Sequence, residues 1–131
     1  MTVTDIDKPE AGPGEILVKI VAASLCGSDL IAYKGWLGPK TEGLVGGHEA
    51  VGIVAAVHPS ASAGFSVGDR VGIMNCMGNC DYCKPCISGH GQYCESGKKN
   101  QGFDVNGFLA EYAVVNAHFA TKIATTMPLE R

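Results

Sequence analysis

The chain has 131 residues, of which 46% are hydrophobic and 18% charged, with a formal net charge of −3. That length suits one domain with a buried core and is too short for two. The acidic balance offers no basic patch for nucleic acid, and no run approaches the ~20 apolar residues of a membrane span. The opening residues, Met1-Thr2-Val3-Thr4-Asp5, lack the basic and apolar regions of a signal peptide, and no N-x-S/T acceptor occurs. Eighteen glycines, about twice the average frequency, predict many turns and a mainly β, irregular fold.

In chain order, residues 9–14 are turn-rich, and residues 15–23 (Glu-Ile-Leu-Val-Lys-Ile-Val-Ala-Ala) are β-branched and aliphatic, which predicts a strand. Ser28-Asp29 reads as an N-cap pair opening a short helix over residues 28–34. Residues 49–57 predict a strand in which Gly52 marks a bulge or a close approach. Residues 59–68 are a small, polar loop. Strands are expected at 69–74, at 108–115 and, more briefly, at 121–124. Residues 1–124 are read as one domain and 125–131 as an exit linker. There is no internal repeat and no low-complexity tract.

The strongest chemical signal is the spacing C-x2-C-x2-C-x7-C formed by Cys80, Cys83, Cys86 and Cys94. Four thiolates so close in sequence can close a tetrahedral shell, whose usual occupant is zinc at about 2.3 Å from each sulfur. Gly78, Pro85, Gly89 and Gly91 let the chain turn sharply around an ion, and Lys84, Lys98 and Lys99 can offset the negative charge of a tetrathiolate. A pair of disulfides ranks below zinc because nothing else in the chain looks secreted. A redox C-x-x-C pair ranks lower still, since the half-motifs share a cysteine. A shell filled by four protein ligands leaves no open position, so this site is expected to be structural. Metal-type cysteines also predict a reducing, cytoplasmic setting.

A second set of ligand types lies upstream, in Cys26-Gly27-Ser28-Asp29 and in Gly47-His48-Glu49. Cys26, His48 and Glu49 supply the thiolate, imidazole and carboxylate that a catalytic zinc with one exchangeable position uses. The pair His48-Glu49 is not a zincin motif, because Gly52 stands four residues after His48. Each residue alone also has a plain reading: a buried cysteine as a small hydrophobe, a solvated His-Glu pair, Asp29 and Ser28 as caps.

Taken together, Cys26-x2-Asp29, Gly47-His48-Glu49, Gly68-Asp69-Arg70-Val71 and the four-cysteine loop, in that order, resemble the zinc-containing medium-chain alcohol dehydrogenases. The likeness runs from about Lys8 to Met127. It implies a GroES-like, partly open β-barrel with few short helices and a zinc loop, normally followed by a Rossmann domain that holds the nicotinamide. It implies two zinc sites: a catalytic one at Cys26 and His48 with Glu49 able to exchange onto the metal, and a structural one at Cys80, Cys83, Cys86 and Cys94. Asp29 would accept a hydrogen bond from the second ring nitrogen of His48 and fix its tautomer. Ser28 matches the position whose hydroxyl contacts the alcohol oxygen and passes its proton outward.

The resemblance implies an oxidoreductase that moves hydride between a small alcohol, polyol or aldehyde substrate and NAD or NADP. It is compatible with a homo-oligomer. Gly27, where many members carry His or Arg, is closer to the polyol branch. Ile31 stands where many carry the histidine that ends a proton relay, so the path from Ser28 would end in a cofactor ribose or water. Tyr33 and Trp36 are candidate pocket walls.

No dinucleotide fingerprint is present: Gly12-Pro13-Gly14 leads to Leu17, and Gly89-His90-Gly91 leads to Cys94. The third catalytic ligand is expected beyond Arg131, and the strand that the family usually has before the turn at Pro9 is expected to be only partly contained in the chain. The chain therefore reads as a catalytic domain without its cofactor domain: a truncated gene product, an excised piece or a divergent standalone protein. The alternative from another class is a non-enzymatic zinc module, structural or interacting, that keeps only the four-cysteine site. The zinc-free reductase branch of the same superfamily is disfavoured, because it lacks the cysteine loop.

Overall fold

The aliphatic run opening at Glu15 becomes the central strand of the molecule, β1 (Glu15–Ser24). The computed structural model describes residues 2–38, 41–61, 64–97, 99–124 and 126–130, with backbone alone for Cys76 and Met77. Around β1 an antiparallel sheet forms in the order β6-β1-β2-β3-β7, with β2 at Glu49–Val57, β3 at Arg70–Ile73, β6 at Tyr112–Asn116 and β7 at Ala120–Lys122. It curls into a partly open barrel, as expected for this mainly β fold. Alternation along the strands fills the interior: Ile16 and Val18 of β1, Val54 of β2, Val71 and Ile73 of β3, and Ala113 and Val115 of β6 all pack in one core. Among the described residues no helix is long and apolar enough to cross a membrane.

Gly52 takes part in a close approach. A Cβ there would lie 2.5 Å from Val18 Cγ1, so only glycine lets β2 meet β1 at that level. The β1–β2 pairing shifts register twice: β2 carries the extra residue, Ala55, between the Leu17 and Val18 pairs, and β1 carries it, Val21, between the Ile20 and Ala22 pairs, beside Gly52.

Two expectations need correction, and one part of the fold was not foreseen. The strand expected over 108–115 starts only at Tyr112, because the Phe108 and Leu109 N–H groups donate to the carbonyls of Gly47 and Gly46 instead of to a strand of the sheet. Phe108 is nonetheless fully buried, so its apolar character reflects core packing without a strand. The short helix α1 spans Gly27–Tyr33 and its N-cap is Cys26, not the pair Ser28-Asp29. Asp29 sits one turn in and reaches back, its Oδ2 accepting the Cys26 N–H at 2.7 Å. The sequence reading also missed a two-stranded ribbon of β4 (Cys76–Gly78) and β5 (Lys99–Asn100), and the one-turn helix α2 (Lys84–Ile87) between them. Such short pieces carry no periodicity to read. The expected loop over 59–68 and linker over 125–131 lie partly outside the described residues, at Ser62, Ala63, Thr125 and Arg131.

Asp69 ties the edge of the sheet together. Its Oδ2 accepts from Lys122 Nζ of β7 at 2.7 Å and from the Ser66 N–H at 2.8 Å. The Lys122 ammonium first, and then the Ser66 N–H, hold its carboxyl below the usual carboxylate range. A depressed folded pKa stabilises the fold above the unfolded pKa and loses that contribution as pH falls through the folded value. Asp69→Asn is therefore expected to lower the thermal midpoint at neutral pH, with the gap to wild type closing below about pH 4. Melting curves against pH check this; a gap that persists in acid assigns the effect to something other than the charge.

Candidate metal centres

The β4–β5 ribbon carries the four-cysteine lobe at its tip. Within it Cys80 Sγ lies 3.8 Å from Cys86 Sγ, and Cys83 Sγ lies 3.3 Å from Cys86 Sγ and 4.0 Å from Cys94 Sγ. All four sulfurs fall within 4.8 Å of one another. A tetrahedron with zinc–sulfur bonds of about 2.3 Å has edges of about 3.8 Å, so the set matches one ion in size. A disulfide needs sulfurs about 2.05 Å apart, and these converge on a common point instead of pairing off.

Local backbone makes the wrap. Asp81 adopts a left-handed φ of 61°, turning the chain so that the Cys83 N–H points at Cys80 Sγ at 3.3 Å. Cys83 then caps α2, whose second residue is Pro85. The Cys80 N–H points at Cys94 Sγ at 3.4 Å, and Asn79 Nδ2 at Cys86 Sγ at 3.5 Å. The thiols titrate unequally. Desolvation works to raise Cys80, but the N–H groups of Tyr82 and Cys83 bring it down to about 6. Desolvation and the neighbouring Cys83 push Cys86 up to about 12. Lys84 and Lys99 are exposed around the lobe, and Lys98 lies outside the described residues.

The second group forms where the N-terminus of α1 meets the segment entering β2. Ligand atoms of Cys26, His48 and Glu49 lie within 4.8 Å of one another. His48 is 6% exposed and Asp29 7%. Asp29 Oδ1 is 3.0 Å from His48 Nδ1. A carboxylate only accepts, so Nδ1 carries a proton and Nε2 faces the cluster. Ser28 Oγ lies 3.3 Å from Nε2, and Glu49 Oε1 3.9 Å. The other carboxylate oxygen of Glu49 accepts from Ser24 Oγ at 2.6 Å. His48 and Glu49, though adjacent in the chain, bring their ligand atoms to the same point. The reversal occurs at Gly47, whose φ of +84° turns the chain ahead of both.

The surroundings move the two ligand types in opposite senses: Cys26 toward the thiolate that binds metal, and His48 toward the imidazolium, which must give up its Nε2 proton before it can bind one. The Ser28 hydroxyl, the Ser28 N–H and His48 lower the Cys26 thiol against burial and the Glu49 charge. Burial pulls the His48 pKa down, but the hydrogen bond and charge of Asp29, with a smaller part from Cys26, leave it raised overall.

A glycine clamp, missed in the sequence, holds His48 in place. The Gly107 N–H donates to the Val45 carbonyl at 2.7 Å, the Phe108 N–H to Gly47 at 3.1 Å and the Leu109 N–H to Gly46 at 2.9 Å. A Cβ on Gly102 would lie 2.6 Å from the Gly47 carbonyl oxygen, and one on Gly107 2.6 Å from that of Gly46. No side chain can stand where these backbones meet. Phe103 completes the surroundings, its ring centroid 4.9 Å from that of His48 at a 45° tilt. Tyr33 and Trp36, the aromatics singled out from sequence, are 63% and 70% exposed. Gly27 and Ile31 lie on α1 and are exposed.

The family model described as the alcohol dehydrogenase GroES-like domain matches residues 12–125. An alcohol dehydrogenase of Geobacillus stearothermophilus is 38% identical over 132 residues, a match covering 99% of this chain and 38% of that protein. A solved NAD-dependent alcohol dehydrogenase superposes with a TM-score of 0.87 at 31% identity, over 96% of this chain and 36% of that one. A cobalt- and zinc-bound thermostable alcohol dehydrogenase from Pyrobaculum aerophilum gives 0.87 at 31% identity, over 99% and 39%. The chain therefore spans little more than a third of the length of the relatives it matches. Motif order, barrel topology and these matches agree, and the chain belongs to the alcohol dehydrogenase GroES-like domain family.

Proposed function

We propose that this chain is the zinc-binding catalytic domain of an NAD(P)-dependent alcohol or polyol dehydrogenase, with two zinc sites. Cys80, Cys83, Cys86 and Cys94 would hold a structural ion. Cys26 and His48 would hold the catalytic one, with Glu49 as a carboxylate able to exchange onto it. The observation that carries this reading is the convergence of Cys26, His48 and Glu49 within 4.8 Å, apart from the four cysteines. Two solved relatives, one NAD-dependent and one holding cobalt and zinc, support the cofactor classes.

Zinc, when bound, supplies a Lewis acid that polarises a substrate oxygen. The chain's own residues do the rest. Asp29 keeps the proton on His48 Nδ1, so that Nε2 stays a ligand. Ser28, 3.3 Å from that nitrogen, presents a hydroxyl that both donates and accepts, and so can take a proton from a substrate hydroxyl and release it outward. Ile31 cannot extend the path, which ends at a cofactor ribose or at water. Glu49, anchored by Ser24, keeps a carboxylate oxygen facing the ligand point. Hydride would pass to a nicotinamide held elsewhere in the whole protein. Substrates would be small alcohols, polyols or aldehydes, in a cytoplasmic protein whose copies could associate.

Metal stoichiometry tests the reading. Zinc titration of the chain is expected to show two ions, one tight and one weaker, with the weaker one lost in Cys26→Ala and the four-cysteine ion retained. A single ion that is indifferent to Cys26→Ala would make the chain a zinc module that keeps only the four-cysteine site.

A further inference from the structure

We propose that Phe103 is a positioning residue for His48, fixing the plane of the imidazole through ring contact; its role toward metal rests on the reading of Cys26 and His48 as a zinc site. The hydrogen bond from Nδ1–H to Asp29 Oδ1 at 3.0 Å pins one atom of the ring. That bond and the longer contact of Nε2 with Ser28 Oγ at 3.3 Å act on the ring edge alone, and a ring held only at its edge can rock so that Nε2 moves away from Cys26 and Glu49. The Phe103 ring, 4.9 Å away between centroids, blocks that motion on one face. The two ring planes are inclined at 45°.

Phe103 is itself held firmly. It sits in a turn where the Asp104 N–H donates to the Asn100 carbonyl at 2.8 Å and the Gly102 N–H to Val105 at 2.9 Å. Asp104 Oδ2 accepts from the Asn100 N–H at 3.0 Å and from Asn100 Nδ2 at 2.9 Å, closing the turn from the side. Gln101, 1% exposed, donates through Nε2 to the Val114 carbonyl of β6 at 2.9 Å. Gly102 packs against the Gly47 carbonyl, directly before His48. The same turn therefore fixes both the backbone ahead of the histidine and the wall against its ring. A wall on so rigid a mount restrains geometry, whereas an aromatic on a loose loop would merely cover it.

The test reads the ring directly, in the full chain without metal. Nitrogen-15 histidine NMR follows exchange of the His48 Nδ1 proton, which is expected to be protected in wild type. Phe103→Leu keeps apolar bulk and removes the flat face. It is expected to speed that exchange about tenfold or more, while Phe103→Tyr stays within about twofold of wild type and the β1–β2 amides are unchanged. Equal protection in Phe103→Leu and wild type overturns the proposal, as does a wild-type chain with no protected Nδ1 proton. A second arm loads cobalt and reads the visible bands of the two sites, with chelator competition for affinity. Phe103→Leu is expected to weaken the Cys26–His48 site about tenfold and leave the tetrathiolate bands unchanged. A wild-type chain showing tetrathiolate bands alone would remove the zinc reading of Cys26 and His48, and the exchange arm would still decide the role of Phe103.

Discussion

Cys83→Ser is expected to release about one zinc per chain and to open residues 79–97 to protease, while the barrel stays folded. The lobe has little else to hold it. Tyr82, Ile87 and Tyr93, its large apolar side chains, are 70–75% exposed, and Cys83 is the buried hydrophobic residue of the lobe. On the proposed reading its stability would come from the ion, whose binding free energy in small zinc modules is about 10–16 kcal/mol and is in effect folding free energy. Cys83 occupies the centre of the set. Its sulfur lies 3.3 Å from that of Cys86 and 4.0 Å from that of Cys94, its N–H points at Cys80, and it caps α2. A serine hydroxyl in that place is a harder, shorter ligand that leaves three thiolates around an open position. Metal content after dialysis and limited proteolysis measure the effect. Unchanged zinc and unchanged resistance would overturn the four-ligand assignment. Cys76→Ser is the control: Cys76 stands outside the C-x2-C-x2-C-x7-C frame, so this variant is expected to keep its zinc.

What could be read in the sequence follows the range of each interaction. The four cysteines were legible because their ligand spacing is local, and the loop closes over a few residues. The strands at Glu15–Ser24 and Glu49–Val57 were legible because β-branched runs of that length have few other uses. The pairing of Asp29 with His48 was reached only through the resemblance, since nothing local links residues nineteen apart. The clamp escaped entirely. Gly47, Gly102 and Gly107 meet through backbone atoms, and a glycine that is required for close approach looks in sequence like one that merely permits a turn. Phe103 escaped for the same reason. Its value lies in facing a histidine fifty-five positions away, whereas Tyr33 and Trp36 were read as candidate pocket walls. Phe108 shows the converse error, an apolar residue next to a real strand whose N–H is committed to Gly47.

A polypeptide of these 131 residues is expected to show no measurable NAD(P)-dependent alcohol oxidation by itself. The first reason is the cofactor. Neither glycine pair forms a strand–turn–helix phosphate cradle: residues 12–14 turn directly into β1, and residues 89–91 belong to the four-cysteine lobe. At the start of α1 the Cys26 N–H is already bonded to Asp29 Oδ2. Holding two reactants in register supplies about 7–11 kcal/mol of a barrier. Without it the rate would fall by at least roughly 10⁵-fold. The second reason is the metal. Cys26, His48 and Glu49 make a three-ligand set in which Glu49 is 43% exposed and bonded to Ser24, so the catalytic ion would be held weakly and would bind better once a further ligand is supplied. The measurement is absorbance at the nicotinamide band, with excess zinc, both nicotinamide cofactors and a panel of primary, secondary and polyol substrates. Robust turnover that vanishes in Cys26→Ala would mean that the barrel alone binds the nicotinamide, and the division of labour proposed for this domain would have to be abandoned.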